Sequence, residues 1–239
     1  MISVIVPVQN ESTEAAMPLA RFAAAPECEL LVAGGTDESP AARALDSAGA
    51  LRIPGAGSRG ARLAGAAARA RGDILFFVHL DSRPPADALD IIRRTIREGA
   101  SAGSFSLAYS QPDRRMRWIA AWANLRSRLL RLPFGDQGIF CRRDAYDAAG
   151  GFRDMPICDD VDLVRRLRRA GRFVVRPEVT TTSPRRYRER GALRQVIRVW
   201  AVLGGYFLGV SPRTLGRWYF GEATECGRGE GGSAPSGFR

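Results

Sequence analysis

The chain has 239 residues, 45% of them hydrophobic and 26% charged. That length suits one large α/β domain or two small ones, and the apolar content excludes a disordered chain. The formal charge of +11 rests on 36 basic residues, every one an arginine, and points to phosphate, anionic lipid or nucleic acid as partners while saying nothing of fold.

Residues 2–8 read as a strand, and Ser12 or Thr13 opens a helix through residue 22. Residues 29–33 form a second strand that ends in Gly34-Gly35-Thr36-Asp37. The pattern then predicts a helix over 40–48, a short strand over 50–53 and an Ala-rich helix over 59–71. A fourth strand covers 73–80: six of the seven residues from 74 to 80 are apolar, with no alternation, as in a strand buried on both faces. Pro84-Pro85 ends it, and a helix follows over 87–98. This β-α-β-α order argues for a parallel sheet flanked by helices.

The second half is less regular. Phe105, Leu107 and Tyr109 share one face of a strand over 103–109. Residues 114–132 place Met116, Trp118, Ile119, Trp122, Leu125 and Leu129 at helical spacing among six arginines. Gly135-Asp136-Gln137-Gly138 is a loop entering a short strand; 160–170 is a helix and 173–176 a strand. Residues 190–220 read as helical, broken at Gly204-Gly205 and at Pro212, and 223–239 as a disordered tail.

The four cysteines, Cys28, Cys141, Cys158 and Cys226, form no C-x-x-C pair, which speaks against a zinc site or a disulfide framework and for a reducing compartment. The N-terminus lacks the features of a signal peptide. No apolar run reaches the roughly 20 residues that span a bilayer. The expectation is a cytoplasmic protein, soluble or peripheral at the inner face of the membrane.

Five places carry candidate chemistry. Asp81, after the fourth strand, is where a carboxylate binds Mg²⁺ or Mn²⁺ beside a diphosphate; a turn or cap aspartate is the alternative. Asp159-Asp160 opens a helix, where acids favour the macrodipole and also where a general base is placed. Gly135 and Gly138 let the backbone approach a ligand around Asp136 and Gln137, or make a surface turn. Pro7, Gln9, Asn10 and Glu11 end the first strand, within reach of a base or ribose. His79, the chain's one histidine, is a core residue or a second ligand near Asp81.

These pieces, taken in order, resemble an inverting family 2 glycosyltransferase. The motifs are residues 2–7 with Asn10-Glu11, residues 34–37, residues 71–81, Gly103-Ser104-Phe105, residues 135–140, Gly150-Gly151-Phe152, residues 159–163, residues 182–186 and residues 206–210. The nearest resemblance is to the bacterial subgroup called radical-SAM/selenodomain-associated transferase 2, linked to arsenosugar-type biosynthesis. It covers roughly residues 1 to 220.

The resemblance implies a GT-A fold, a Rossmann-like mixed sheet flanked by helices. The domain would span 1–189, with a helical extension over 190–222 packed on it. It implies a UDP- or GDP-linked sugar donor held by Pro7, Gln9, Glu11, Gly34, Gly35 and Asp37. A divalent cation, Mg²⁺ or Mn²⁺, would lie at His79-Leu80-Asp81, the counterpart of the family's D-x-D. Asp160 with Asp159 would supply the base that deprotonates a hydroxyl acceptor, and Asp136 and Gln137 would meet donor or acceptor sugar.

Three departures stand out: Ala33 replaces an aspartate that reads the nucleobase, His79 replaces the first acid of the D-x-D, and Asp159 replaces a glutamate. Arg59 and Arg62 are candidates for donor phosphates, and Arg185 and Arg186 for closing over the diphosphate; a solvated surface arginine is the alternative for each. The Trp118/Trp122 helix and residues 199–210 suit a membrane surface or a lipid-linked acceptor, or else packing under the active site or a homodimer contact. The competing functions are a sugar-phosphate nucleotidylyltransferase and a non-catalytic nucleotide- or nucleic-acid-binding module.

Overall fold

The computed structural model describes residues 1–9 and 11–221, without the side chains of Arg186, Glu189 and Arg190. Asn10 and the expected disordered tail lie outside the described residues, as does Cys226.

The first half alternates β1 (Ile2–Val8), α1 (Thr13–Ala20), β2 (Cys28–Gly34), α2 (Pro40–Ser47), β3 (Leu51–Ile53), α3 (Arg59–Arg69) and β4 (Ile74–Phe77), followed by β5 (Ser82–Arg83) and α4 (Ala88–Arg97). Ser12 precedes α1 as expected but makes no side-chain cap bond, whereas two other helix starts follow local chemistry. Ser39 accepts from the Ala42 N–H with Pro40 in the first turn of α2, and Ser58 accepts from the Ala61 N–H at α3. The second half runs β6 (Ala102–Tyr109), α5 (Arg114–Leu130), a 3-10 turn (Gly135–Gln137), β7 (Ile139–Arg142), α6 (Arg143–Ala148), α7 (Asp159–Ala170), β8 (Phe173–Thr182), α8 (Arg185–Arg190), α9 (Ala192–Phe207) and α10 (Pro212–Phe220).

All strands join one eight-stranded sheet in the order β3-β2-β1-β4-β7-β6-β8-β5. The pairs β1–β2, β1–β4 and β2–β3 are parallel. β7 lies antiparallel between β4 and β6, which makes the sheet mixed. Alternate residues of β1 serve two cores. Ile5 joins Leu31, Leu75 and Phe77 under α3 and α7, while Val4 and Val6 join Leu30, Val32 and Phe76 against α1, α2 and α4. Phe76 is fully buried, a burial that stabilises by about 1.5–3 kcal/mol. The C-terminal helices belong to the first core: Val202, Leu203 and Tyr219 are buried in it, and the Tyr206 hydroxyl donates to Asp162 at 3.0 Å.

Several elements differ from the sequence pattern. β4 stops at Phe77; Val78 and Leu80 stay buried, but the chain turns there, with the Ser82 N–H donating to the His79 carbonyl at 3.0 Å. β8 continues past residue 176 to Thr182 because it bulges around Pro177: Ser104 pairs with Val175 but Ser106 with Val179. Gly204-Gly205 does not break α9. A Cβ on Gly205 would meet Leu215 of α10 at 2.8 Å, so this glycine lets two helices approach. β5 and α6 were not anticipated.

Candidate functional site

The carboxyl ends of β1 and β2 lie side by side, with Pro7 opposite Ala33 and Val8 opposite Gly34. Beyond β1, the Gln9 N–H donates to Glu11 at 2.7 Å. Gly34 has φ +92°, and the space a side chain would take is filled by Arg62, whose Cδ lies 2.9 Å from the ideal Cβ position. Arg62 is buried and donates to the Val8 carbonyl at 3.0 Å. Burial lowers its pKa, with the Glu11 charge opposing. Pro7, Gln9, Glu11, Gly34 and Gly35 thus gather at one sheet edge above Arg62. Asp37 does not face inward with them: it is exposed and pairs with Arg52 of β3 at 2.5 Å.

One turn before Arg62, Arg59 at the start of α3 reaches three groups. Its Nε and Nη2 donate to the two oxygens of Asp159 at 2.9 and 2.5 Å. Nη1 lies 2.9 Å from His79 Nε2, and Nη2 is 3.5 Å from Asp160 Oδ2. A guanidinium has only donors, so His79 Nε2 accepts and the ring proton is on Nδ1. Burial works against the Arg59 cation, but the charges of Asp159 and Asp160 outweigh it and raise its pKa.

The two aspartates are not equivalent. Asp159 is buried, with both oxygens on Arg59. Asp160 takes the Gly135 N–H on Oδ2 at 2.7 Å and the Val161 N–H on Oδ1 at 2.8 Å. Burial pushes Asp159 up, with Arg59 opposing. At Asp160 burial also raises, but Arg59 and the Gly135 N–H prevail and hold it below the usual carboxylate range. Asp160 is therefore the more firmly ionised of the pair. Cys158, the residue before them, is in the left-handed region at φ 63°, a strained conformation of the kind that collects at functional sites.

The turn that supplies Gly135 is tied down from behind. Gln137, expected among the sugar-contacting residues, is fully buried: its Oε1 accepts from Ser127 at 2.7 Å and its Nε2 donates to the Phe105 carbonyl at 2.9 Å. With both ends of its amide committed inside the protein, it frames the turn and does not face the cleft. Asp136 is half-buried, and its charge acts on Arg59 and on Arg126 of α5.

Arg126 escaped the sequence reading. It is buried, with its guanidinium 3.5 Å from the centre of the Phe134 ring, and the charges of Asp136 and Asp160 act on it. As one of five arginines in its helix it carried no distinguishing mark, although it borders the inner stripe of Met116, Ala120 and Ser127. Arg185 is exposed at the start of α8, where its N–H donates to Ser183 Oγ at 3.3 Å; the Arg186 side chain is outside the described atoms.

Among the described residues no three His, Cys, Asp or Glu side chains stand together as a metal-binding group. A hard divalent cation needs only one or two protein carboxylates when a diphosphate supplies further oxygens, and Asp81, exposed on the turn after β4, fits as one. His79 does not fit the ligand role expected of it through Nε2, because that lone pair already takes the Arg59 proton.

No protein-family model matches the chain, and no curated protein matches it in sequence. Solved structures do. Residues 1–349 of S. aureus TarS in complex with UDP-GlcNAc align with TM-score 0.58 at 16% identity, over 76% of this chain and 58% of that one. Glucosyl-3-phosphoglycerate synthase from Mycobacterium tuberculosis, in complex with phosphoglyceric acid, gives 0.53 at 20% identity over 83% and 78%. The same synthase has been solved with Mn²⁺ and UDP-glucose. The mannosyltransferase PcManGT from Pyrobaculum calidifontis, in complex with GDP-Man and Mn²⁺, gives 0.61 at 20% over 98% and 65%. The chain thus spans less than two thirds of the TarS and PcManGT chains it matches. At such identities the likeness is one of architecture: the mixed eight-stranded sheet with helices on both faces is the GT-A fold of nucleotide-sugar transferases.

Proposed function

We propose that this protein is an inverting glycosyltransferase that moves a sugar from a nucleoside-diphosphate sugar to a hydroxyl acceptor, with Asp160 as general base. The observation that carries the reading is the division of labour at the start of α7. Asp159 is spent on Arg59, while Asp160 stays ionised one residue on. The acceptor oxygen attacks the anomeric carbon in line and Asp160 takes its proton. The bond from that carbon to the diphosphate oxygen breaks, and the electron pair leaves with the nucleotide, so the configuration inverts.

The nucleotide lies over the ends of β1 and β2, against Pro7, Gln9, Glu11, Gly34 and Gly35, with Arg62 beneath. Arg59 keeps Asp160 ionised and, as a half-buried cation, stabilises charge that develops on the departing diphosphate. Asp81 would hold a divalent cation, which would supply further neutralisation of that leaving group. Asp136 borders the donor sugar, and Arg185 approaches the diphosphate from α8. Solved GT-A proteins bound to UDP-GlcNAc, UDP-glucose and GDP-Man support a UDP- or GDP-linked donor.

The test is a panel of nucleotide sugars with Mn²⁺, read by release of the nucleoside diphosphate. Release from one donor that stops on Asp160→Asn supports the reading. No release from any donor, together with no binding of UDP or GDP, overturns it.

A further inference from the structure

Helix α5 is apolar on two opposite sides. Its inner side buries Met116 and Ala120, while Trp118, Trp122, Leu125 and Leu129 face water, Trp118 at 66% exposure and Leu129 at 73%. Their i, i+4, i+7, i+11 spacing makes one continuous stripe. Helix α9 lies alongside. A groove of about 410 Å³ between the two is lined by Trp118 and Ile119 from one and Leu193 and Val196 from the other. Leu193, Ile197 and Trp200 continue the exposed surface at the same spacing. All four tryptophans of the chain, Trp218 of α10 included, are exposed.

The charge is arranged to match. Residues 114–134 hold six arginines, of which Arg126 is buried, and residues 191–220 hold four, with no Asp or Glu in either segment. The whole chain carries a formal +11, so nearly all of its excess charge belongs to the two segments that bear the stripe.

We propose that α5 and α9 form a surface that adsorbs to an anionic lipid bilayer. The tryptophans and leucines enter the headgroup boundary, and the flanking arginines meet lipid phosphates. No helix among the described residues is long and apolar enough to cross a membrane, so the contact lies in the membrane plane. A second copy of the chain is a poorer occupant: across a two-fold axis the surface would meet itself, arginine against arginine with no carboxylate to answer. A single-stranded nucleic acid would use the arginines and tryptophans but leave Leu125, Leu129, Leu193 and Ile197 without a partner.

The experiment uses the whole chain without donor, so it stands or falls apart from sugar transfer. Sedimentation with vesicles of phosphatidylcholine alone is compared with vesicles that also contain phosphatidylglycerol, and tryptophan emission is recorded in parallel. The expected result is binding at least about tenfold stronger to the anionic vesicles, with a blue shift of emission. The double substitution Trp118→Ser with Leu129→Ser should weaken it by about tenfold while leaving circular dichroism unchanged. Absence of binding to anionic vesicles overturns the proposal. So does equal binding by the variant, a dimer in light scattering that the variant splits, or displacement of vesicles by a single-stranded oligonucleotide.

Discussion

Arg59 closes on Asp159 with two hydrogen bonds, to both carboxylate oxygens, from a position one hundred residues earlier in the chain. That grip, paired and planar, leaves the neighbouring Asp160 to two backbone N–H groups, with Arg59 only at 3.5 Å. In the proposed reaction, the choice between the two adjacent aspartates thus falls to a residue on another helix.

Substitution should separate the two. Asp160→Asn is expected to lower kcat by about 10²–10⁴-fold with UDP or GDP affinity nearly unchanged in calorimetry. Asp159→Asn should instead reduce thermal stability, because it leaves Arg59 without its main partner, and cost less in kcat. Equal losses of kcat in the two variants would contradict the assignment of roles.

The pH profile follows from the direction of the Asp160 shift. Its pKa lies below the usual carboxylate range, so the base is ionised at neutral pH and is lost only as pH falls through that depressed value. kcat/KM should stay level down to about pH 5 and turn down below about pH 4. An acid limb well above the usual carboxylate range would contradict the assignment of Asp160 as base.

Gly135 cannot carry a side chain. A Cβ there would lie 2.5 Å from His79 Nε2 and 3.1 Å from Asp160 Oδ2. Gly135→Ala should cut kcat by about a hundredfold through displacement of these groups, with a far smaller effect on the melting temperature. Steady-state kinetics beside a thermal melt would show it, and a fully active variant would mean that the turn is not part of the site.

Glu29 makes an acid-sensitive clasp away from the site. It accepts from Ser3 Oγ at 2.6 Å, the Arg71 N–H at 2.5 Å and Arg71 Nε at 3.0 Å, joining β2 to β1 and to the start of β4. Burial raises its pKa, but these donors prevail and lower it. The stabilisation is therefore present above the unfolded pKa of about 4.3 and is lost as pH falls through the folded value. Glu29→Gln should lose about 1–2 kcal/mol at neutral pH in urea unfolding, a gap that narrows below about pH 4. A constant gap would refute the charged role.

What the sequence disclosed was local. The four parallel strands, the helices that alternate with them and the acids at 159–160 each announce themselves within a few residues, through apolar runs, helical spacing, and carboxylates at a helix start. What stayed hidden depends on partners far along the chain. β5 is two residues long and exists only because β8 pairs with it. Gln137 and Arg126 owe their places to α5 folding over the turn, and no spacing reveals that. The strand expected over 173–176 runs on to Thr182 and the break expected at Gly204-Gly205 is absent, because a bulge and a close helix crossing are tertiary facts.

The arginines around the outer stripe of α5 also govern how copies of the molecule behave toward one another. At low ionic strength like charges hold the exposed tryptophans of neighbouring copies apart. Salt shortens the reach of that repulsion to less than about 10 Å above 0.1 M while leaving the apolar stripe as sticky as before. The protein's colloidal stability should therefore fall as salt is added, with self-association in light scattering rising under conditions chosen to keep most proteins dispersed.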